Sequence, residues 1–297
     1  MRRAVWTARR RDVLAGYLFV APQVLGWALF VLTPAVMVIW YSLHSWNALA
    51  GTFQWIGLGN YRQMAHDPVI PSVVVATVSF TVALVVCNLV VALVLAIALN
   101  NRFAGRTFFR AVFFSPVVVS LVAWTIVWRF LLQADGGING LLAEIHVHGP
   151  NWLRSSGTAM ASAVLVQVAK NVGLNMVLFL AALSGVPKEL YEAAQLDGAG
   201  RWRLFRKITL PMISPTVLLT GIITTVGALQ VFAQIQVLTG GGPGNSTTVL
   251  VYYLYEQAFQ FNHLGYGSAL AVVLFAVVLV LTLLQWGLRR RWVFHES

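Results

Sequence analysis

Six long apolar runs, at 15–41, 72–99, 111–132, 158–183, 215–238 and 264–288, leave this chain few ways to fold. Crossing the hydrocarbon core of a bilayer takes about 20 apolar residues in a helix, and each run supplies them. Arg129 lies near the outer end of the third run, and Lys170 is the one charge in the fourth. Of the 297 residues 59% are hydrophobic and 10% charged, where a soluble domain carries about 25% charged residues. The expectation is an all-α membrane protein of six helices, forming one transmembrane domain over 1–297. The first run follows Arg9, Arg10, Arg11 and Asp12. It is too long for a signal peptide and no small-residue cleavage site clearly follows it, so it reads as a retained span.

The formal net charge of +11 does not point to nucleic acid, because the basic residues fall in clusters between apolar runs rather than over one soluble face. Arg2, Arg3, Arg9, Arg10 and Arg11 precede span one. Arg102, Arg106 and Arg110 separate spans two and three. Lys188, Arg201, Arg203, Arg206 and Lys207 lie in 187–211, and Arg289, Arg290 and Arg291 follow span six. The other side holds Arg62 and Arg154, and the loop 239–263 has no Lys or Arg. By the positive-inside rule both termini and the 187–211 window face the cytoplasm.

That window is the most charged stretch between two apolar runs, and it reads as two short helices with a joint. Pro187 suits a first helical position, and Glu189 places a negative charge in the first turn. Gly198 after Asp197 can take the left-handed conformation that ends a helix. Trp202, Phe205 and Ile208 recur every third residue, giving a second short helix one apolar face until Pro211 stops it.

Glu192-Ala193-Ala194, three residues, Gly198, nine residues, then Ile208-x-Leu210-Pro211 resembles the EAA motif of permease subunits of binding-protein-dependent ABC importers, with every consensus position present. The stretches AGYLFVAPQVLGWALF, GLGNYRQM, WRF and LTGGGPGNSTTVLVYYLYEQAF extend the likeness over nearly the whole chain. They narrow it to the carbohydrate branch, of the maltose and glycerol-3-phosphate importer type and its first permease. The resemblance implies a type I ABC importer permease fold in a bacterial or archaeal cytoplasmic membrane. It implies a partnership with a second permease, two ATPase subunits and an extracytoplasmic solute-binding protein, with a sugar or sugar-like substrate. The chain itself would be no enzyme and bind no cofactor; ATP and Mg would belong to the ATPases. Glu192, Ala193, Ala194, Asp197, Gly198, Leu210 and Pro211 would form the element that docks on the ATPase. The segment 42–71 leaves no room for the large outer domain that the enteric maltose permease inserts there.

Polar residues inside a bilayer are costly and tend to face a water-filled path or the bundle interior. Gln167, Asn171 and Asn175 are spaced by four, so they share one helix face, with Lys170 beside them. Span five offers Thr220, Thr224, Gln230 and Gln234. Amides and hydroxyls can donate to and accept from a sugar hydroxyl, or they can bond between helices as packing glue. Alignment with the maltose permease implies sugar contacts at Gln167, Lys170, Asn171, Leu174, Thr224, Ala228, Val231, Val117 and Leu121. Gln167, Lys170, Asn171, Thr224 and Gln230 are therefore the pathway candidates. Lys170 either attracts an anionic group or reaches a carbonyl or partner helix.

Other features carry less. Cys87 has no disulfide partner and reads as a small apolar side chain. His146 and His148 with Glu144 offer too few ligands for a metal site. The glycines at 240–244 lead to Asn245 and Ser246 with no lysine, unlike a phosphate-binding loop. Together with Pro243 they are expected to break span five, with Tyr252, Tyr253 and Tyr255 following at headgroup depth on a short interfacial helix. An ion-coupled secondary transporter would favour carboxylates near mid-membrane, but all nine acidic residues lie outside the runs. A non-transporting scaffold would use the polar stripes as glue alone. The orientation has a direct check in a chain whose Cys87 is replaced by Ser. Gly200→Cys should react with an impermeant maleimide only from the cytoplasm, and Gly244→Cys only from outside. Labelling of Gly244→Cys from the cytoplasmic side would overturn the orientation and the six-span count.

Overall fold

A computed structural model describes residues 2–101 and 103–292, with the side chains of 2–12, 14 and 288–292 excepted. Most of the arginines that orient the chain, at 2, 3, 9–11, 102 and 289–291, therefore lie outside the described side chains. Among the described residues, four helices are long and apolar enough to cross a membrane, at Ala15–Ser42, Ile70–Asn100, Ser156–Ser184 and Leu264–Gly287. Two bent pairs, Arg106–Val118 with Leu121–Leu131 and Arg201–Met212 with Ser214–Leu229, raise the count to six if each pair is one span. The chain divides into two compact units, one of Met1–His66 and Glu256–Val273, the other of Asp67–Tyr255 and Leu274–Ser297.

In the first unit, span one is one helix with a wider five-residue π segment at Ala28–Leu32. The Thr33 hydroxyl donates to the carbonyl of Ala28 five residues back, at 3.0 Å, which suits the widened turn. The segment after it is more ordered than a surface loop. His44–Asn47 pairs antiparallel with Thr52–Trp55, in the register His44 with Trp55 and Asn47 with Thr52. Aromatic and threonine side chains favour such a pleated ribbon, and the His44 ring stacks on Phe53 at 4.3 Å. Helix Gly59–His66 follows. Its buried Asn60 donates through the amide nitrogen to the carbonyls of Ser42 and His44, at 2.7 and 2.9 Å. The start of span six packs on the hairpin at Gly265, where a β-carbon would lie 2.0 Å from the His44 carbonyl oxygen.

In the second unit, spans two and four form the core pair. Ala92 and Ala96 pack with Val172, Met176 and Phe179, all buried, and small residues let the backbones approach. Span three, expected as one helix over 111–132, is broken by a turn of 105°. Pro116 lies in a 3-10 turn at Ser115–Val118, and Val119 and Ser120 are extended, with ψ of 141° and 137°. The first half lies against span four at Gly173, where a β-carbon would meet the Phe113 carbonyl oxygen at 2.0 Å.

Span five also departs from expectation. Its helix Ser214–Leu229 ends at Gln230, well before the glycines and Pro243, and a short helix Ala233–Leu238 follows an irregular Phe232 with φ −138° and ψ −68°. Gln234 is wholly buried, and its amide donates to the Ala163 carbonyl at 2.6 Å, which anchors the short helix against span four. The glycine loop then closes on itself. The Thr247 hydroxyl donates to the Gly242 carbonyl and that of Thr248 to the Gly241 carbonyl, at 2.9 and 3.0 Å. Tyr252 and Tyr253, on the short helix Leu250–Tyr255, are buried within the protein. Tyr252 packs under Gly241 and beside Phe232, and the Tyr253 hydroxyl donates to the Asp67 carboxylate.

Candidate functional site: a two-helix coupling element and a polar face on span four

The 187–211 window forms the expected pair of helices, with three differences. The first helix is Lys188–Leu196, and Pro187 stands just before it with ψ of 132° rather than as its first residue. Glu189 lies in the first turn, as the helix dipole favours. The helix ends as expected at Gly198, φ +75°. There the N–H groups of Asp197 and Ala199 bond the carbonyls of Ala193 and Ala194 at 3.1 and 2.9 Å. The small residues of the motif thus supply the carbonyls that close the joint.

The second helix does not stop at Pro211. It runs from Arg201 to Met212 through a π segment at Phe205–Thr209, where the N–H of Leu210 bonds the Phe205 carbonyl five residues back. Pro211 has no N–H to place, so the widened turn admits it, and the chain bends by 67° into span five only after Met212. The third difference is the apolar face. Leu204 is buried and Ile208 half-buried, whereas Trp202 is 71% exposed.

Tyr191, which sequence reasoning did not single out, ties the two helices together. Its hydroxyl lies 3.0 Å from the Thr209 hydroxyl, and Thr209 also reaches back to the Leu204 carbonyl. Its only sequence signal is an aromatic residue with a hydroxyl on an otherwise charged short helix. Outward from this joint, Glu192, Ala193, Asp197 and Gly198 are exposed and Leu196 is 90% exposed. Ala194 and Pro211 are half-buried, and Leu210 is exposed. Ala194, Asp197, Arg203 and Lys207 border a cleft of about 280 Å³ between the helices.

The pathway candidates separate by their partners. Lys170 is buried, and its ammonium donates to the carbonyls of Pro116, Val117 and Val119 at the break in span three, where the Pro116 carbonyl also accepts the Val119 N–H. Of the two destinations open to it, Lys170 takes the carbonyls. Asn175 donates to the Asn88 side chain and to the Thr224 hydroxyl, at 2.5 and 3.2 Å, so Thr224 belongs to a link between spans two, four and five. Asn171 is half-buried and bonded by no described residue. The side-chain oxygen of Gln167 is buried without a partner, and Gln230 is exposed at the end of the span-five helix. Leaving a buried amide oxygen unpaired costs about 1–3 kcal/mol, so the face of Gln167 and Asn171 awaits a polar neighbour. His146 and His148 are exposed, and among the described residues no three His, Cys, Asp or Glu side chains converge.

Long apolar helices, two sharply bent pairs and an exposed two-helix element are those of a multi-pass membrane protein. The chain belongs to the family of binding-protein-dependent transport system inner membrane components, whose model matches residues 88–293. It is 36% identical over 274 residues to the probable ABC transporter permease protein YurN of Bacillus subtilis, covering 91% of this chain and 94% of that one. It is 35% identical to the lactose transport system permease protein LacF of Rhizobium radiobacter, over 91% of this chain and 92% of that one. Among solved structures, a chain of the bacterial alginate ABC transporter in complex with alginate pentasaccharide-bound periplasmic protein superposes with a TM-score of 0.83. At 23% identity over 96% of this chain and 97% of that one, it shows the type I ABC importer permease fold.

The assignment of Lys170 generates a test. Lys170→Met leaves the Val117 and Val119 carbonyls without the ammonium donor and the Pro116 carbonyl with the Val119 N–H alone, a carbonyl left unpaired costing about 1–3 kcal/mol. The purified permease should therefore lose several degrees in its thermal midpoint, whereas Lys170→Arg should recover most of it. A Lys170→Met protein with an unchanged midpoint and abolished transport would make Lys170 a substrate contact instead.

Proposed function

We propose that this permease forms half of the translocation path of an importer for a neutral sugar or sugar-like solute, paired with a second, similar permease. In this reading the element 188–212 seats on a cytoplasmic ATPase. Two such ATPases hold the ATP and Mg, this chain binds neither, and an extracytoplasmic solute-binding protein delivers the substrate. Both termini face the cytoplasm, the chain acts as one transmembrane domain, and the membrane is the cytoplasmic one of a bacterium or archaeon.

The observation that carries the coupling role is the exposed crown of the two-helix element. Leu196 and Trp202 are 90% and 71% exposed, and Glu192 is also exposed, unpaired by any described residue. Exposed large apolar side chains next to charge mark a protein docking surface, and the Tyr191–Thr209 bond stiffens it to transmit a push into span five. The substrate class is supported by two facts. Relatives include permeases of lactose, arabinooligosaccharide and trehalose/maltose transport systems. The span-four groups left unpartnered are amides, Gln167 and Asn171, while the one ammonium nearby is already occupied.

Substitutions at the joint test the coupling. Gly198→Val puts a β-branched side chain at φ +75°, which costs about 1–2 kcal/mol locally; Glu192→Lys reverses the exposed charge. Both should leave the membrane fold and assembly intact while cutting transport per ATP hydrolysed in proteoliposomes. Wild-type transport by both variants in fully assembled complexes would remove the docking assignment.

A further inference from the structure

The first unit holds a cleft that the transport reading does not use. Hairpin His44–Asn47 and Thr52–Trp55, helix Gly59–His66 and the first turn of span six enclose about 380 Å³. That volume lies within the range of about 300–1,000 Å³ usual for small-molecule sites. Its lining includes Trp46, Asn47, Thr52, Asn60, Gln63 and His263, and no Asp, Glu, Lys or Arg. A cleft with no formal charge of its own suits a neutral ligand.

The walls are set before any ligand arrives. The half-buried Trp46 ring is held against Tyr41 and Phe53, with centroids 4.6 and 5.8 Å away. The Asn60 amide nitrogen is committed to the Ser42 and His44 carbonyls, so its oxygen is what remains to face a ligand donor. The Asn47 oxygen accepts from the Ala50 N–H, which leaves its amide nitrogen as a donor. Ser45, Thr52 and Gln63 are exposed, and no described residue bonds their side chains. Fixed donors and acceptors beside a flat aromatic surface match a saccharide ring, which offers hydroxyls around its rim and an apolar C–H face. The hairpin lies between spans one and two, on the side opposite the arginine clusters, and so faces outward.

We propose that this cleft is a carbohydrate-binding subsite on the outer face, with Trp46 as the stacking platform and Asn47, Asn60 and Gln63 as hydroxyl partners. The proposal rests on the sugar reading above. It is tested with the complete transporter in nanodiscs, without binding protein, by saturation-transfer NMR against lactose, maltose and arabinotriose, with glycerol-3-phosphate as a charged control. A Gln167→Leu, Asn171→Leu background removes the two unpartnered span-four amides from the measurement. At least one neutral saccharide should bind, and Trp46→Ala and Gln63→Ala should each weaken it by about tenfold, the scale of one lost contact. Gln63 is exposed, so its removal leaves the fold intact and keeps the test decisive if Trp46→Ala misfolds. Binding that survives both substitutions overturns the proposal. If no saccharide binds while sugar-loaded binding protein still stimulates ATP hydrolysis, the subsite is refuted and the sugar reading stands. If glycerol-3-phosphate alone binds and stimulates, both fall. If the substitutions weaken only the response to sugar-free binding protein, the cleft is a protein dock and the subsite is refuted.

Discussion

A broken helix in hydrocarbon must find new partners for the backbone groups that the break releases, and the second unit of this permease is arranged around that demand. Span three turns through 105°, and the carbonyls of Pro116, Val117 and Val119 all converge on the Lys170 ammonium. No water is at hand in the bilayer core, so a tethered cation with three donors is an effective replacement. Span five is held after its own break in another way, as the Gln234 amide bonds across to the Ala163 carbonyl of the continuous span-four helix. Where the helices only widen, threonine hydroxyls reach the carbonyl five residues back, at Ala28 in span one and Leu204 in the coupling element.

These repairs divide the polar groups of the membrane region into those with work inside the fold and those without. Asn88, Asn175 and Thr224 link spans two, four and five, a bond class worth about 1 kcal/mol each between membrane helices. Gln167 and Asn171 lie on the same helix as Asn175, yet no described residue bonds the Gln167 oxygen or Asn171. The contrast between neighbouring turns of one helix is what turns a polar stripe into a candidate path. The helix pair of 188–212 passes into span five through the bend after Met212, so the exposed element and the span are one continuous stretch of chain.

Much of this was legible in the residues. Spans one, two, four and six were readable because an unbroken apolar run has one solution in lipid, and the joint at Gly198 because only a left-handed residue closes that turn. The breaks were not. Pro116 marks span three, but a proline in a membrane helix is compatible with a mild kink, and nothing local announces that Lys170, 54 residues on, will hold three carbonyls. Pro211 reads as a stop until the π segment before it is seen, because the hydrogen-bond shift that admits it has no sequence period. Trp202 was misplaced because its spacing groups it with the half-buried Phe205 and Ile208, whereas the buried residue of that first turn is Leu204. The burial of Tyr252 and Tyr253 was not legible, because it depends on Asp67, Phe232 and Gly241, which arrive from elsewhere in the chain. Within the site, the motif residues were visible and the Tyr191–Thr209 bond that braces them was not.

The central claim is that the unpartnered amides of span four face the solute. Asn171→Leu separates this from helix packing when thermal midpoint and transport are measured on one reconstituted complex. Removing a polar group from an apolar span should keep or raise the midpoint, while transport per folded complex should fall about tenfold, because a solute hydroxyl loses its partner. A lowered midpoint with transport unchanged would show that Asn171 holds helices together and would contradict the account.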